Sequence, residues 1–178
     1  MTTPTSIRRL LCLTLLLGSL PLVADDGATE YQIKAGYLYN FTKFITWPEN
    51  DATAFHLCIL GNDPFGTLID AIEKKTVKNR PIRVLRLNEL DQNVACHIMF
   101  IEASENLVEN LPDPHEPTKT LTVGETPDFA AQGGMVGFVN RNGRIKLQIN
   151  LDAIRQAGLK ISAKLLEVSE ILGRPSHD

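Results

Sequence analysis

The strongest constraint on the fold of this chain is a set of short apolar runs separated by segments with helical periodicity. Residues 55–60 and 96–101 are almost continuously apolar, and residues 64–75 between them place apolar side chains at helical spacing. Strands that read as continuous apolar runs are typical of a parallel sheet that is covered on both faces. The pattern therefore predicts an α/β fold.

The remaining segments fit the same architecture. An amphipathic helix is predicted over residues 30–46. It ends there because Pro48 disfavours helix in the residue before it. The Asn-Gly pair within residues 140–143 predicts a hairpin between the apolar runs 135–139 and 145–149. Further predicted elements are a half-exposed strand near a sheet edge (80–87), a strand (119–123), a helical turn (128–132) and helices (105–111, 150–158 and 161–172). We therefore predict one domain: a three-layer sandwich with a mostly parallel central sheet, one antiparallel hairpin and helices on both faces.

The first 24 residues have the three parts of a secretory signal peptide. Arg8 and Arg9 precede an apolar core, which ends in small residues at Ala24. The apolar core is shorter than the roughly 20 residues that a transmembrane helix needs, although an uncleaved anchor is the alternative. We predict a signal peptide over residues 1–24 and an exported domain over residues 25–178.

Charge and motif content argue against two classes of function. The chain has a formal net charge of −3 and no stripe of lysines and arginines, which is a poor basis for binding nucleic acid. It contains no nucleophile elbow of the GxSxG kind and no close carboxylate pair typical of glycosidases. We therefore expect a non-catalytic protein with no catalytic residues and no cofactor.

Two cysteines remain after export, Cys58 and Cys96. An even number of cysteines in an oxidising compartment favours one disulfide. Because His56 and His97 lie beside them, a metal site is an alternative. Adjacent residues of a strand point to opposite faces, however, so Cys96 and His97 are poorly placed to share a metal. Free thiols are the third alternative.

A turn at the end of the first apolar run is a candidate ligand site. Ligands of open α/β sheets bind where a strand ends and a helix begins, and backbone N–H groups at a helix start can hold an anion. The turn lacks the GxGxxG spacing of a nucleotide-binding loop, so a plain strand-to-helix turn is the alternative. The candidate residues are Gly61, Asn62, Asp63, Phe65 and Gly66.

Two segments carry more apolar surface than one buried face can cover. These are the aromatic helix near residue 40 and the C-terminal segment after residue 160. Surplus apolar surface of this kind is typical of partner interfaces, although packing in the core is the alternative. The candidate interface residues are Tyr39, Phe44, Trp47, Ile161, Leu165, Val168 and Leu172.

An ordered series of motifs connects the chain to a known family. The motifs occupy residues 37–48 (YLYNFTKFITWP), 58–65, 96–101, 121–125, 129–135 and 149–166. Together they cover nearly all of the exported domain. In this order, the motifs resemble those of the YfiR-like family of exported bacterial proteins.

The resemblance implies a periplasmic protein of a Gram-negative bacterium. Such a protein binds the periplasmic portion of an inner-membrane diguanylate cyclase, or of a sensor kinase, and represses it. Loss of repression raises cyclic di-GMP and favours biofilm. The resemblance also implies a homodimer, capture by an OmpA-like outer-membrane lipoprotein, and a disulfide between Cys58 and Cys96. A second disulfide of the characterised member has no counterpart here. The alternative function is a periplasmic sensor that binds a small molecule at the Gly61–Gly66 turn.

Overall fold

The computed structural model describes residues 26–48, 51–91, 93–104 and 119–172. Within these ranges the helices are α1 (Asp26–Phe44), α2 (Thr67–Glu73), α3 (Leu151–Gln156) and α4 (Ala163–Leu166). The strands are β1 (Ile45–Thr46), β2 (Phe55–Leu60), β3 (Thr76–Val77), β4 (Arg80–Leu87), β5 (Ile98–Ile101), β6 (Leu121–Gly124), β7 (Val136–Arg141), β8 (Arg144–Asn150), β9 (Lys160–Ile161) and β10 (Glu170–Leu172). No helix in these ranges is both long enough and apolar enough to cross a membrane.

Eight strands form one sheet in the order β10-β8-β7-β6-β5-β2-β4-β3. The neighbouring strands β4, β2, β5, β6 and β7 run parallel to one another. Strand β8 runs antiparallel to β7. The predicted α/β fold, with its mostly parallel sheet and antiparallel hairpin, is confirmed. The predicted edge position of residues 80–87 is also correct, because only the two-residue strand β3 lies outside β4.

The sheet separates two apolar clusters. The larger cluster contains buried side chains from all four described helices and from one face of the strands. The smaller cluster lies on the other face, where the loop residues Leu90 and Val94 and the turn residue Phe129 cover Cys58, Leu60 and their neighbours. The helix predicted over residues 105–111 lies outside the described residues.

The ring of Phe129 occupies a slot that two glycines leave open. A Cβ atom on Gly124 would lie 2.2 Å from one edge of the ring, and a Cβ atom on Gly134 would lie 2.1 Å from the other. Phe129 is 1% exposed, so other protein atoms surround the ring. The glycines are therefore required by packing at these two positions.

Local signals worked well for the hairpin and for α3. Asn142 and Gly143 have φ angles of 54° and 75°, as a two-residue type I′ turn between β7 and β8 requires. The side chain of Asn150 accepts a hydrogen bond from the N–H of Ala153 and so caps the start of α3. Gly158, with φ 71°, follows the end of this helix, two residues short of the predicted limit.

The prediction of a C-terminal helix over residues 161–172 is wrong. The segment contains β9, the one-turn helix α4 and β10. Ile161 pairs with Ile45 of β1, and Glu170–Leu172 pairs in parallel with β8. Strand pairing with distant segments therefore outweighs the helical spacing of the apolar residues, which is a weak preference in any case.

The helix predicted over residues 64–75 is shorter than expected. Helix α2 begins at Thr67, because Asp63 forms a side-chain turn that holds residues 63–66 outside the helix.

Candidate functional site

Cys58 and Cys96 form a disulfide in the centre of the sheet. Their Cα atoms are 5.9 Å apart. Cys58 lies in β2, and Cys96 lies two residues before β5, the strand paired with β2. Both residues are buried, at 0% and 7% exposure. The predicted pairing is confirmed, and the described residues contain no group of three or more side chains suited to a metal ion.

The two histidines beside the disulfide have structural contacts. The backbone N–H of His56 donates to Nδ1 of His97 over 3.1 Å, and Nδ1 of His56 lies 2.8 Å from the carbonyl oxygen of Ala95. Burial lowers the pKa of His97 to about 4, with smaller contributions from the charges of Arg80 and His56. His97 is therefore a neutral hydrogen-bond acceptor at neutral pH.

The candidate turn is filled by one of its own side chains. The Asp63 carboxylate accepts hydrogen bonds from the N–H groups of Phe65 and Gly66, over 2.8 and 3.2 Å. Arg86 donates from Nε to the other oxygen of Asp63 over 2.7 Å. The N–H groups on which an external anion would depend are thus already used within the protein.

The other residues of the turn divide between core and surface. Phe65 is buried, with its ring edge-on to Phe100 at a centroid distance of 4.9 Å, whereas Asn62 and Gly66 are exposed. Gly61 has a φ of 88° and donates its N–H to the carbonyl of Leu87. These contacts stabilise the turn, and its role as a ligand site remains a prediction.

A buried polar cluster lies near the turn, at the carboxyl ends of the parallel strands. Lys34 of α1 is only 3% exposed, and its ammonium group forms ion pairs with Glu30 and Glu125. The Tyr31 hydroxyl donates to Oε1 of Glu125 over 3.0 Å. Burial raises the pKa of Tyr31, and the charge of Glu125 raises it further, so the phenol remains a proton donor. The cluster fixes α1 against the end of β6.

Sequence reasoning missed most of this cluster. The spacing of Glu30 and Lys34 predicts a helical ion pair. Glu125, however, is 91 residues away from Lys34, and nothing in its local sequence indicates burial. The closeness of the two residues follows from the parallel topology, which brings the end of β6 beneath α1.

The structure joins the two apolar segments of the predicted interface. Ile45 pairs with Ile161, and the N–H of Ser162 donates to the carbonyl of Phe44 over 2.9 Å. The candidate interface residues differ in exposure. Trp47 and Leu165 are buried; Tyr39, Phe44, Ile161 and Leu172 are partly buried; Val168 is 62% exposed.

The most exposed apolar surface lies at the C-terminal sheet edge. Val168 and Ile171 are 62% and 41% exposed, and they flank the start of β10. Among the described strands, none pairs with the outer side of β10. The predicted interface residues do not include Ile171.

The sequence matches the model of a protein family. The family model described as YfiR/HmsC-like matches residues 31–170, which is more than half of the chain. No curated protein matches the sequence.

Proposed function

Because the chain belongs to the YfiR/HmsC-like family, we propose that it is a periplasmic, non-catalytic regulator that represses an inner-membrane diguanylate cyclase. The family match over residues 31–170 carries the proposal. The buried disulfide is in keeping with an oxidising compartment, where such bonds persist. Binding outside the membrane then controls cyclic di-GMP production inside the cell.

The proposed mechanism is a shift in a conformational equilibrium. The regulator represses the cyclase by binding the periplasmic portion of its inactive state more tightly than that of its active state. Moving an equilibrium from 1:99 to 99:1 takes a preference of about 10⁴-fold. This mechanism needs an interface and no bond chemistry.

We assign the contact surface to the C-terminal sheet edge around Val168, Ile171 and Leu172. Val168 and Ile171 are exposed apolar side chains close together in the sequence, and exposed apolar anchors are typical of protein interaction sites. The ion pair between Arg141 and Glu170, at 3.0 Å, cross-links β10 to the hairpin and holds this edge in place. An OmpA-like lipoprotein that covered the same surface would release the cyclase.

Deletion of the gene tests the function directly. Cellular cyclic di-GMP should rise on deletion, and the intact gene should return it to its starting level. Unchanged cyclic di-GMP in the deletion strain would contradict the proposal. If a sensor kinase is the receptor instead, phosphorylation of its response regulator will change while cyclic di-GMP stays constant.

Charged substitutions test the assigned surface. A Val168→Asp/Ile171→Asp variant should fail to restore repression, since loss of interface anchors typically costs about 2 kcal/mol or more. Ile33→Asp is the matched control, because Ile33 is an exposed apolar residue (45%) on a different element, α1. A photo-crosslinker at position 168 should capture an inner-membrane protein. Equal repression by all variants would exclude this surface.

A further inference from the structure

Four exposed lysines form a patch where α1 and α2 end, beside the short edge strand β3. One lies in the last turn of α1, two directly follow α2 and one directly follows β3: Lys43, Lys74, Lys75 and Lys78. Within the described ranges, none of them forms an ion pair with a carboxylate. The chain as a whole has a formal net charge of −3, so this lysine patch is a local excess of positive charge on an acidic protein.

The ring of Tyr39 brings lysines from two elements together. The ammonium group of Lys43 lies 4.4 Å from the centre of the ring, and that of Lys75 lies 4.9 Å from it. Each ammonium group gains a favourable contact with the aromatic ring. The two positive charges are also held near each other, where they repel. A negatively charged group beside them would offset this repulsion, so the arrangement favours an anionic partner.

Two acidic residues near the lysine patch compensate only part of its charge. Glu73 precedes Lys74, but its carboxylate accepts a hydrogen bond from the N–H of Val84 over 2.8 Å and is thus turned towards β4. Asp51 lines the same surface cavity as Lys78. With both acids counted against the four lysines, the patch keeps a net positive charge.

Ordinary structural roles explain single lysines better than they explain the group. A lysine at the C-terminal end of a helix interacts favourably with the helix dipole, which applies to Lys43 and Lys74. Lysines beside an edge strand such as β3 discourage pairing with another chain. Neither role requires two ammonium groups on one ring. Neither requires a lysine at position 78, where the φ of 49° favours glycine or asparagine.

The residue type favours a lipid surface over a single bound anion. Arginine binds one phosphate or carboxylate through two parallel hydrogen bonds, whereas lysine acts as a point charge on a flexible stem. The four cations of this patch are all lysines on exposed positions of three elements. Clusters of about four to eight basic residues are typical of surfaces that bind anionic phospholipids.

We propose that the lysine patch docks the protein on a membrane surface that contains anionic phospholipids. The ammonium groups contact the lipid phosphates, and Tyr39, which is itself partly buried, positions two of them. Because β3 and β10 are opposite edges of the sheet, this docking directs the apolar edge at β10 away from the lipid. The inference goes beyond the proposed regulatory function and is tested separately, since lipid binding concerns the protein without its receptor.

Sedimentation with vesicles tests the inference. The purified protein should sediment with vesicles of phosphatidylglycerol and bind those of phosphatidylcholine, which have no net charge, at least about tenfold more weakly. Raising the salt concentration from about 0.1 M to about 1 M shortens the screening length from about 10 Å to about 3 Å. Binding to phosphatidylglycerol should therefore weaken by at least about tenfold.

Substitutions identify the surface that contacts the lipid. Lys43→Gln/Lys75→Gln should weaken binding to phosphatidylglycerol about 30-fold, because each lysine near an anionic surface contributes a factor of about five. Arg144→Gln/Lys146→Gln is the matched control, since it removes the same charge from exposed positions of β8, towards the opposite edge of the sheet. Its binding should stay within about twofold of that of the unchanged protein. Circular dichroism establishes that both variants are folded.

Four results would overturn the inference. The first is the absence of binding to phosphatidylglycerol vesicles at low salt. The second is equal binding to phosphatidylglycerol and phosphatidylcholine, which would show that lipid charge is not recognised. The third is equal weakening by the two double variants, which would reduce the effect to the overall charge of the protein. The fourth is binding to polyglutamate without binding to vesicles, which would assign the patch to an acidic protein partner.

Discussion

Reduction of the Cys58–Cys96 disulfide should destabilise the protein by about 4 kcal/mol. The bond closes a loop with a sequence separation of 38 residues. The chain-entropy relation then gives a loss of about 13 cal/mol/K in the unfolded chain, or about 4 kcal/mol at 25 °C. In this relation, reduction acts through the unfolded state, which regains the freedom that the closed loop had removed.

Urea unfolding of the oxidised and reduced protein measures the loss in stability. With an m-value of about 2 kcal/mol/M, the midpoint should fall by about 2 M after reduction. Both sulfurs are buried, so complete reduction requires prior unfolding and then refolding in the presence of reductant. Thiol titration in denaturant must count two more thiols per chain in the reduced protein than in the oxidised protein. A Cys58→Ala/Cys96→Ala variant is the control, because reductant should not change its midpoint.

One result would refute this reasoning. If the free energy of unfolding of the fully reduced protein lies within about 1 kcal/mol of that of the oxidised protein, loop entropy is not the source of stabilisation. The unfolded chain would then be compact without the bond, and the m-value would be equal in the two forms. A rise in m on reduction, reflecting a more expanded unfolded chain, would support the entropic account.

Three other perturbations have defined outcomes. Glu125→Gln should lower the free energy of unfolding by about 2–4 kcal/mol, because among the described residues Lys34 then keeps only the more exposed Glu30 as an ionic partner. A loss below about 0.5 kcal/mol in urea unfolding would show that Glu30 suffices. Since the pKa of His97 is about 4 in the folded protein and near 6.5 when unfolded, the unfolded state takes up the proton first as pH falls. The free energy of unfolding should therefore be at its full value above about pH 6.5 and decrease by up to about 3 kcal/mol towards pH 4. The His97→Asn variant should show a weaker dependence of the urea midpoint on pH. Gly134→Ala should lower the Tm, at a cost of roughly 1–3 kcal/mol, because its Cβ would lie 2.1 Å from the Phe129 ring; an unchanged Tm would mean that the ring can move.

The features that sequence predicted well depend on neighbouring residues. The apolar run 55–60 forms β2 with no change in its limits. The Asn-Gly pair forms the turn between β7 and β8, because two consecutive positive φ angles suit these residue types. The aromatic helix ends within two residues of its predicted end, since Pro48 follows.

The features that sequence missed depend on distant partners. Residues 161–172 have helical spacing, but their conformation is decided by pairing with β1 and β8. The burial of Lys34 likewise depends on Glu125, at the far end of another strand. Such long-range effects outweigh local preference.

The strand order has a consequence for how the chain folds as it emerges. Apart from the β4–β3 edge, which is completed early, the sheet extends outwards from β2 in chain order, through β5, β6, β7 and β8 to β10. Each new strand can therefore dock on one that is already in place, with no need to insert between two that are paired. Both cysteines precede β6, so the bond between β2 and β5 can form before the later strands arrive. The last strand to arrive carries the apolar edge, which reaches its final form only when the rest of the sheet is in place.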